Sequence, residues 1–197
     1  MYAIHYLSQH SIAPGEAHLN VMEHRYHYLI GTQDLRLVFH GNWLNCNLVG
    51  FSNSDWAGDL NSQRSVSGYT FILCGAMITW SAKKQQTIAL SSTKAEYMTM
   101  THSGKEVVFL NHLFGNLAIP VSNPIPLLVN NQSMIALAEN PIFHAHSKHI
   151  EVCHHWMCEK VGDSTIQLEY IPTTTTDQVA DIFTKPLNFR NFEMHWD

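Results

Sequence analysis

Five polar side chains lie at positions in the sequence where an α/β protein can build a metal-dependent active site. Strand ends and first helical turns meet at one edge of a sheet, and the candidates there are Asn53, Asp55, Glu96, Asn130 and Asp181. Four carboxylates at such places would hold two divalent cations about 4 Å apart, which clamp the attacking water and the leaving oxygen of a phosphodiester. Their charges repel one another until metal binds. The arrangement predicts phosphodiester chemistry, yet Asn53 and Asn130 are neutral amides.

The N-terminal part of the chain, residues 1 to 46, has a pattern of its own. Residues 15 to 31 have apolar side chains at helical spacing, and Pro14 and Gly31 are typical of the two ends of a helix. The stretch LRLVFHG that follows predicts a short strand. We therefore expect a separate N-terminal segment and one domain over residues 47 to 197.

From residue 47 onward, strand and helix patterns follow an order that predicts one mixed sheet. NLVGFSN and VSGYTFILCGAMITWSA predict a meander of three strands, the last two joined near Gly75. A long helix from about Ser92 to Gly115 follows, and Thr93 and Glu96 have the spacing of a capping box. The remainder predicts two strands, PIPLLVN and TIQLEYIP, and three helices, NQSMIALAEN, residues 146 to 161 and TTTDQVADIFTKPL. The predicted fold class is α/β.

Composition and net charge limit the classes of protein to which this chain can belong. Hydrophobic residues make up 45% of the 197 residues, which is enough for a core. There is no apolar run of the about eighteen residues that would cross a membrane. The net charge of −5 argues against attraction of the whole surface to nucleic acid but allows a local basic strip. Four cysteines without tight repeated spacing predict reduced thiols: Cys46, Cys74, Cys153 and Cys158. We expect an intracellular protein, cytoplasmic or nuclear, with no membrane partner.

Three stretches resemble the ribonuclease H domain of copia-type LTR retrotransposon Pol polyproteins. They are GFSNSDWAGDLNSQRSVSGYTF with its continuation to TKAEYM, LLVNNQSMIALAEN, and LEYIPTTTTDQVADIFTKPL. The likeness covers about residues 47 to 190, and residues 1 to 46 resemble the connection segment at the end of the preceding reverse transcriptase. It implies a ribonuclease H-like mixed sheet, with a three-strand meander and then helix, strand, helix, strand and helix. It also implies cleavage of the RNA strand of RNA–DNA hybrids with Mg²⁺ or Mn²⁺.

The resemblance further implies four acidic ligands, at positions 53, 96, 130 and 181. Glu96 and Asp181 match this pattern, whereas Asn53 and Asn130 depart from it. An amide oxygen offers a dipole to a hard cation that prefers charged oxygen ligands, so we expect weakened Mg²⁺ or Mn²⁺ binding and impaired hydrolysis. The alternative is a catalytically dead module that binds nucleic acid or an unidentified protein partner. Glu96, Asp181 and Asp55 are the candidate metal ligands.

Asp55 has two interpretations that the sequence leaves open. It lies two residues after Asn53, so on an extended strand both side chains point to the same face and Asp55 could replace a missing ligand. Alternatively, Asp55 caps the turn into WAGD, as short acidic side chains often do.

The stretch HAHSKHIEVCHHWMC invites a zinc interpretation, because His149 and Cys153, and likewise His154 and Cys158, share a helix face. A structural zinc needs four ligands that converge from more than one segment, so the signal is weak.

Two lysines and two tryptophans each have a functional and a structural interpretation. Lys83 and Lys84, followed by two glutamines, either touch a phosphate backbone or belong to a solvated loop. Trp56 and Trp80 either stack on bases or pack, buried or half-buried, against the sheet.

Overall fold

The centre of the structure is a five-stranded mixed sheet. The structure is a computed structural model, and it describes residues 2–40, 47–59, 61–139, 148–172 and 177–193. The strands are β1 (Leu48–Asp55), β2 (Val66–Leu73), β3 (Ala76–Lys84), β4 (Ile125–Val129) and β5 (Ile166–Tyr170). They lie in the order β3-β2-β1-β4-β5, so the predicted meander and the α/β fold class with one mixed sheet are confirmed.

Helices flank this sheet. Within the described ranges they are α1 (Tyr2–Ser8), α2 (Glu16–Gly31), α3 (Ser92–Asn116), α4 (Gln132–Glu139), α5 (Lys148–Gly162), α6 (Asp181–Thr184) and α7 (Phe189–Glu193). The helices predicted over residues 15 to 31 and from Ser92 to Gly115 are confirmed as α2 and α3, whereas α1 was not predicted. None of the described helices combines the length and apolar character that crossing a bilayer requires.

The strand predicted in LRLVFHG is wrong for its described residues, because residues 35–40 form no strand. The His40 amide donates to Cys74 O at 2.9 Å, in the turn between β2 and β3. Within the described sheet, however, no ladder pairs this segment with a neighbour. A strand requires the backbone groups of a partner, which the alternation of apolar residues cannot supply by itself.

The final predicted helix begins later than expected, since α6 starts only at Asp181. Gln178 explains the late start, because its Oε1 accepts from Ala180 N and its Nε2 donates to Ser52 O, each at 3.3 Å. This side chain is 1% exposed, so the turn is anchored to β1 before the helix can begin. Residues 174–176 of the predicted helix lie outside the described residues.

Strand register brings the ends of four strands to one edge of the sheet. β1 runs antiparallel to β2, with Asn53 opposite Gly68, and parallel to β4, with Ser52 opposite Val129. β2 runs antiparallel to β3, which places Ala82 opposite Gly68. The carboxyl ends of β1, β3 and β4 therefore lie at the same edge as the start of β2.

The two faces of the sheet carry different helices at this edge. Ser67 Oγ lies 2.6 Å from Thr99 Oγ1 of α3, so Ser67 points to the α3 face. The next residue, Gly68, points to the opposite face, where Thr184 of α6 is its neighbour.

The expectation of four reduced cysteines is wrong for Cys74, which is disulfide-bonded. Cys153 and Cys158 are free thiols, and Cys46 lies outside the described residues. The spacing of the cysteines along the chain carries no signal for a disulfide at Cys74, which is why the sequence did not predict it.

The N-terminal helices lie against the sheet domain. α1 contacts α6 and β3, and it buries Ala3. α2 buries no residue, although the Tyr28 ring meets the Phe192 ring edge-on at a centroid distance of 5.9 Å. Leu19 and Tyr26 on α2 remain exposed. The division at residue 46 stays a prediction.

The core lies between the sheet and helices α3, α4 and α5, and its fully buried side chains include Leu48, Phe71, Met100 and Leu127. Gly50 in β1 has no side chain and so leaves space for two of these core residues, Phe71 and Leu127. A Cβ at position 50 would lie 2.5 Å from Phe71 Cε1 and 2.9 Å from Leu127 Cδ1, both closer than real contacts allow.

Replacing Gly50 by Ala should therefore lower the free energy of unfolding by about 1–3 kcal/mol, because two buried side chains must shift. Urea unfolding followed by circular dichroism measures the change. Gly115→Ala in α3 is the matched control, since a Cβ there meets nothing within 4 Å. That control should leave stability unchanged or raise it by about 1 kcal/mol. Equal effects of the two substitutions would contradict this account of the core.

Candidate active site

Asn53 and Asp181, 128 residues apart in the chain, are joined at the edge of the sheet. Asn53 Nδ2 donates to Asp181 Oδ1 at 2.6 Å and to Thr184 Oγ1 at 2.8 Å, and the Asn53 side chain is buried. Gly68 permits this approach of α6, because a Cβ there would lie 2.6 Å from Thr184 Cγ2 and 2.9 Å from Phe183 Cβ. The absence of a side chain on β2 thus lets α6 place its acid against β1.

Asn130 belongs to the same cluster. β4 lies beside β1 and ends one residue before Asn130, so the two amides become neighbours. Asn130 Nδ2 donates to Asn53 Oδ1 at 3.0 Å. Three of the four predicted positions therefore form one hydrogen-bonded chain: Asn130, Asn53 and Asp181.

Glu96, the fourth predicted position, is reached through Asn131 rather than directly. Asn131 Nδ2 donates to Glu96 Oε2 at 2.6 Å, while its Oδ1 accepts from Met134 N at 3.2 Å at the start of α4. Burial raises the pKa of Glu96, and the hydrogen bond from Asn131 partly opposes the rise.

The predicted capping box at Thr93 and Glu96 is wrong. Ser91 is the N-cap of α3, and its side chain accepts from Lys94 N at 3.2 Å. Any Ser or Thr in the run SST fits the cap by type, and only the backbone conformation of Ser91 decides among them. The side chain of Glu96 is therefore not part of the N-terminal cap of α3.

Lys185 is a charged member of the site that we did not predict from the sequence. Its Nζ lies 2.7 Å from Asp181 Oδ2, one helical turn along the chain. Both oxygens of the Asp181 carboxylate are thereby engaged, one by the Asn53 amide and one by the Lys185 ammonium. The spacing of Asp181, Thr184 and Lys185 at i, i+3 and i+4 is the signal that could have found this group.

Asp55 lies near this cluster, and both interpretations of it remain open. Burial raises the pKa of Asp55 above its ordinary value, the charge of Lys185 partly opposes the rise, and the charge of Asp181 adds to it. Its carboxylate also occupies the space beside Gly58, where any Cβ would overlap it. Asp55 therefore shapes the turn after β1 while remaining close to the Asp181–Lys185 pair.

The donor set does not fit a pair of magnesium ions. Within the described ranges there is no group of three or more His, Cys, Asp or Glu side chains able to hold a metal ion. Two predicted ligand positions are amides bonded to their neighbours, and the two acids accept hydrogen bonds from Asn53 and Asn131. A cation would have to displace donors that the protein itself supplies.

The described members of the two His–Cys pairs considered for zinc make contacts within the protein. His154 is buried, and its Nε2 lies 3.0 Å from Leu137 O, while Cys158 Sγ lies 3.9 Å from the same oxygen. The side chain of His149 lies outside the described residues. Nothing in the described part of α5 and α4 brings a further metal ligand to this pair.

The two tryptophans lie at the surface of the sheet domain. Trp56 is 51% exposed and Trp80 is 43% exposed, so neither is buried and half of each side chain packs against the protein. Trp56 Nε1 donates to Ala89 O at 3.0 Å, which attaches the turn after β1 to the segment before α3.

No protein-family model matches the chain. Two retrovirus-related Pol polyproteins are similar to nearly all of it. One is from transposon RE2 of Arabidopsis thaliana, 35% identical over 97% of the chain, and the other is from transposon TNT 1-94 of Nicotiana tabacum, 33% identical over 98%. The chain spans 13% and 14% of the lengths of these two relatives.

The fold is similar to that of a solved ribonuclease H. The N-terminal RNase H domain of a Mycobacterium tuberculosis protein, studied as a fusion with maltose binding protein, superposes with a TM-score of 0.52 at 11% sequence identity. The match covers 71% of this chain and 91% of that one. At this identity the likeness supports the ribonuclease H-like fold class.

The Asn53 hydrogen bonds should be measurable in stability. Asn53→Leu keeps the branching of the side chain, although Leu is larger, and it leaves Asp181 and Asn130 without this partner. The free energy of unfolding should therefore fall by about 1–3 kcal/mol in urea titrations. Asn61→Leu, in an exposed loop, is the matched control and should change stability by less than about 0.5 kcal/mol. A loss no larger at position 53 than at position 61 would show that the network contributes nothing.

The raised pKa of Glu96 predicts a pH effect with a defined sign. The folded protein binds this proton more tightly than the unfolded chain, so the stabilisation is complete below the ordinary value of 4.5 and is lost as pH rises through the folded pKa. Glu96→Gln keeps an acceptor for Asn131 and removes the titration. The stability of the variant relative to wild type should therefore be greater at about pH 7 than at about pH 4. A difference that is independent of pH in urea unfolding would refute this.

Proposed function

The chain belongs to the copia-type retrotransposon Pol family, and on that premise we propose a ribonuclease H-like domain that binds RNA–DNA hybrids but is impaired in their hydrolysis. One observation carries the proposal: Asn53 Nδ2 donates to Asp181 Oδ1 at 2.6 Å. Two carboxylates could not approach so closely without a proton or a cation between them. The amide of Asn53 thus bonds Asp181 directly, where a second acid would need a proton or a cation between the two groups.

The charge balance of the site supports weak metal binding. Asp181 is paired with Lys185 at 2.7 Å, so their formal charges cancel where a cation would need negative charge. Each acid replaced by an amide removes an attraction of roughly 4 kcal/mol per unit charge at about 4 Å and an effective dielectric near 20. Losing two such attractions, at Asn53 and Asn130, is enough to remove a metal site.

Hybrid binding does not require these acids. Recognition of a hybrid rests on the 2′-hydroxyls of one strand and on phosphate contacts, and the fold that presents these surfaces is retained. Because the net charge is −5, the contacts must come from local groups of lysines rather than from the whole surface. Binding should therefore be sensitive to salt.

Hydrolysis of an end-labelled RNA–DNA hybrid in Mg²⁺ and in Mn²⁺ tests the proposal. Wild type should remain near background, and the double reversion Asn53→Asp/Asn130→Asp should raise the rate by at least on the order of a thousandfold, since one restored attraction of about 4 kcal/mol already corresponds to that factor. Adding Asp181→Asn to the reverted protein should abolish the gain, which excludes a contaminating nuclease. Wild-type turnover close to that of the double revertant would overturn the proposal.

The same assay separates an impaired enzyme from a dead binding module. If Asp55 replaces a missing ligand, wild type retains slow Mn²⁺-dependent cleavage that Asp55→Asn abolishes. If Asp55 only shapes its turn, wild type shows no cleavage, and calorimetric titration with Mg²⁺ shows no heat of binding. Salt-sensitive hybrid binding without turnover identifies the module.

A further inference from the structure

A cavity of about 280 Å³ lies beside α3 at the end of β3, outside the candidate active site. Its wall is formed by the last residues of β3 and the segment after it, by one flank of α3, and by α5. The residues that matter for its chemistry are Lys83, Gln85, His102, Lys105 and Cys153. Its volume is near the lower end of small-ligand sites, about 300 Å³, so it suits a small group rather than a folded partner.

Positive charge in this cavity is not balanced by the protein. Lys83 and Lys105 are exposed and form no ion pair within the described residues, whereas Lys84 is paired with Asp59 at 2.7 Å. The cavity therefore presents two ammonium groups toward solvent from neighbouring elements. A net excess of cationic groups in a concave surface concentrates anions there.

The surroundings of His102 are consistent with this excess. Burial lowers its pKa, and the charges of Lys83 and Lys105 lower it further. Glu106, the carboxylate that acts in the opposite direction, accepts hydrogen bonds from Tyr69 and Thr79 instead. An anion bound between the lysines would lie beside the imidazole.

Gln85 adds a second requirement for a ligand. The side chain is 6% exposed, and its Nε2 donates to Ser67 Oγ at 2.9 Å and to Ala95 O at 2.8 Å. Its Oε1 is buried and has no hydrogen-bond partner. An unpaired buried acceptor is costly, and a hydroxyl group of a ligand is the kind of donor that would satisfy it.

The cavity is linked to the candidate site by strand register. Lys83 in β3 lies opposite Ser67 in β2, which lies opposite Ser54 in β1, the residue after Asn53. Two strand spacings, about 10 Å in total, separate Lys83 from β1. A polynucleotide strand that crosses the candidate site can therefore place a neighbouring sugar–phosphate unit in the cavity.

We propose that this cavity is a binding site for one sugar–phosphate unit of the polynucleotide bound at the candidate active site. The phosphate lies between the ammonium groups of Lys83 and Lys105, and a sugar hydroxyl donates to Gln85 Oε1. The proposal rests on the proposed function, because it assigns a position on this protein to the strand that the hybrid supplies.

Hybrid binding by Lys83→Ala and by Lys105→Ala, measured at about 50 and about 200 mM salt, provides the first test. Each substitution should weaken binding about fivefold and lower the salt slope by about one, as loss of a single phosphate contact does. Lys160→Ala is the control of equal charge. Lys160 of α5 pairs with Glu159 and with Asp163 and does not line the cavity, so its removal should leave binding unchanged. Equal effects of all three substitutions would overturn the assignment.

The second test uses small probes and does not depend on hybrid binding. Inorganic phosphate and ribose 5-phosphate are titrated separately while the ring signals of His102, identified by their loss in His102→Gln, are followed by NMR. Both probes should shift these signals in wild type, ribose 5-phosphate at lower concentration, and neither should do so in Lys83→Ala/Lys105→Ala. No shift in wild type would overturn the assignment of the cavity as a phosphate-binding site. Equal affinity of the two probes would overturn the role of Gln85 as acceptor for a sugar hydroxyl.

The two tests also separate this inference from the proposed function. If wild type binds no hybrid but ribose 5-phosphate still shifts His102, the proposed function fails and the sugar–phosphate site stands. If wild type binds hybrid with salt sensitivity but neither lysine matters and neither probe shifts His102, the site fails and the proposed function stands.

Discussion

The hydrogen bond from Asn53 to Asp181 joins α6 to the first strand of the sheet across 128 residues of chain. It holds α6 against β1, and Gly68 leaves the space that this contact needs. A buried carboxylate is costly unless it accepts hydrogen bonds or meets a positive charge. Asp181 has both, from Asn53 and from Lys185, so the folded site is satisfied by the protein's own groups.

This arrangement separates the stability of the fold from the chemistry of its family. Asn has nearly the size and shape of Asp, so β1 and β4 can end as they would with acids there. The donor properties are reversed, however, because an amide N–H donates where a carboxylate could only accept. The amides of Asn53 and Asn130 therefore bring no negative charge to a cation, but they supply hydrogen bonds that hold this network together. Asn131 does the same for Glu96.

The candidate site and the basic cavity lie along one edge of the sheet. Antiparallel pairing of β1 with β2, and of β2 with β3, connects the strand that holds Asn53 to Lys83 near the end of β3. Side chains at this edge alternate between the two faces of the sheet, so Asn53 meets α6 while Ser67 and the cavity lie on the α3 side. Nucleic-acid contact at such an edge depends on a few lysines rather than on total charge.

Through motif resemblance the sequence predicted four site positions, Asn53, Glu96, Asn130 and Asp181. By itself it determined the α/β order, the meander and the long helix α3. Local periodicity and turn residues suffice for these, because they depend on neighbours along the chain. It did not determine α1, the late start of α6, the absence of a strand at residues 35–40 or the disulfide at Cys74.

Only the tertiary structure decided which groups satisfy the acids. Asn131 bonds Glu96 and Asn53 bonds Asp181, because β4, α3 and α6 converge on β1 at one edge of the sheet. Such partners are chosen by the packing of distant elements, through a glycine on β2 and a buried glutamine before α6, and no local pattern encodes that meeting.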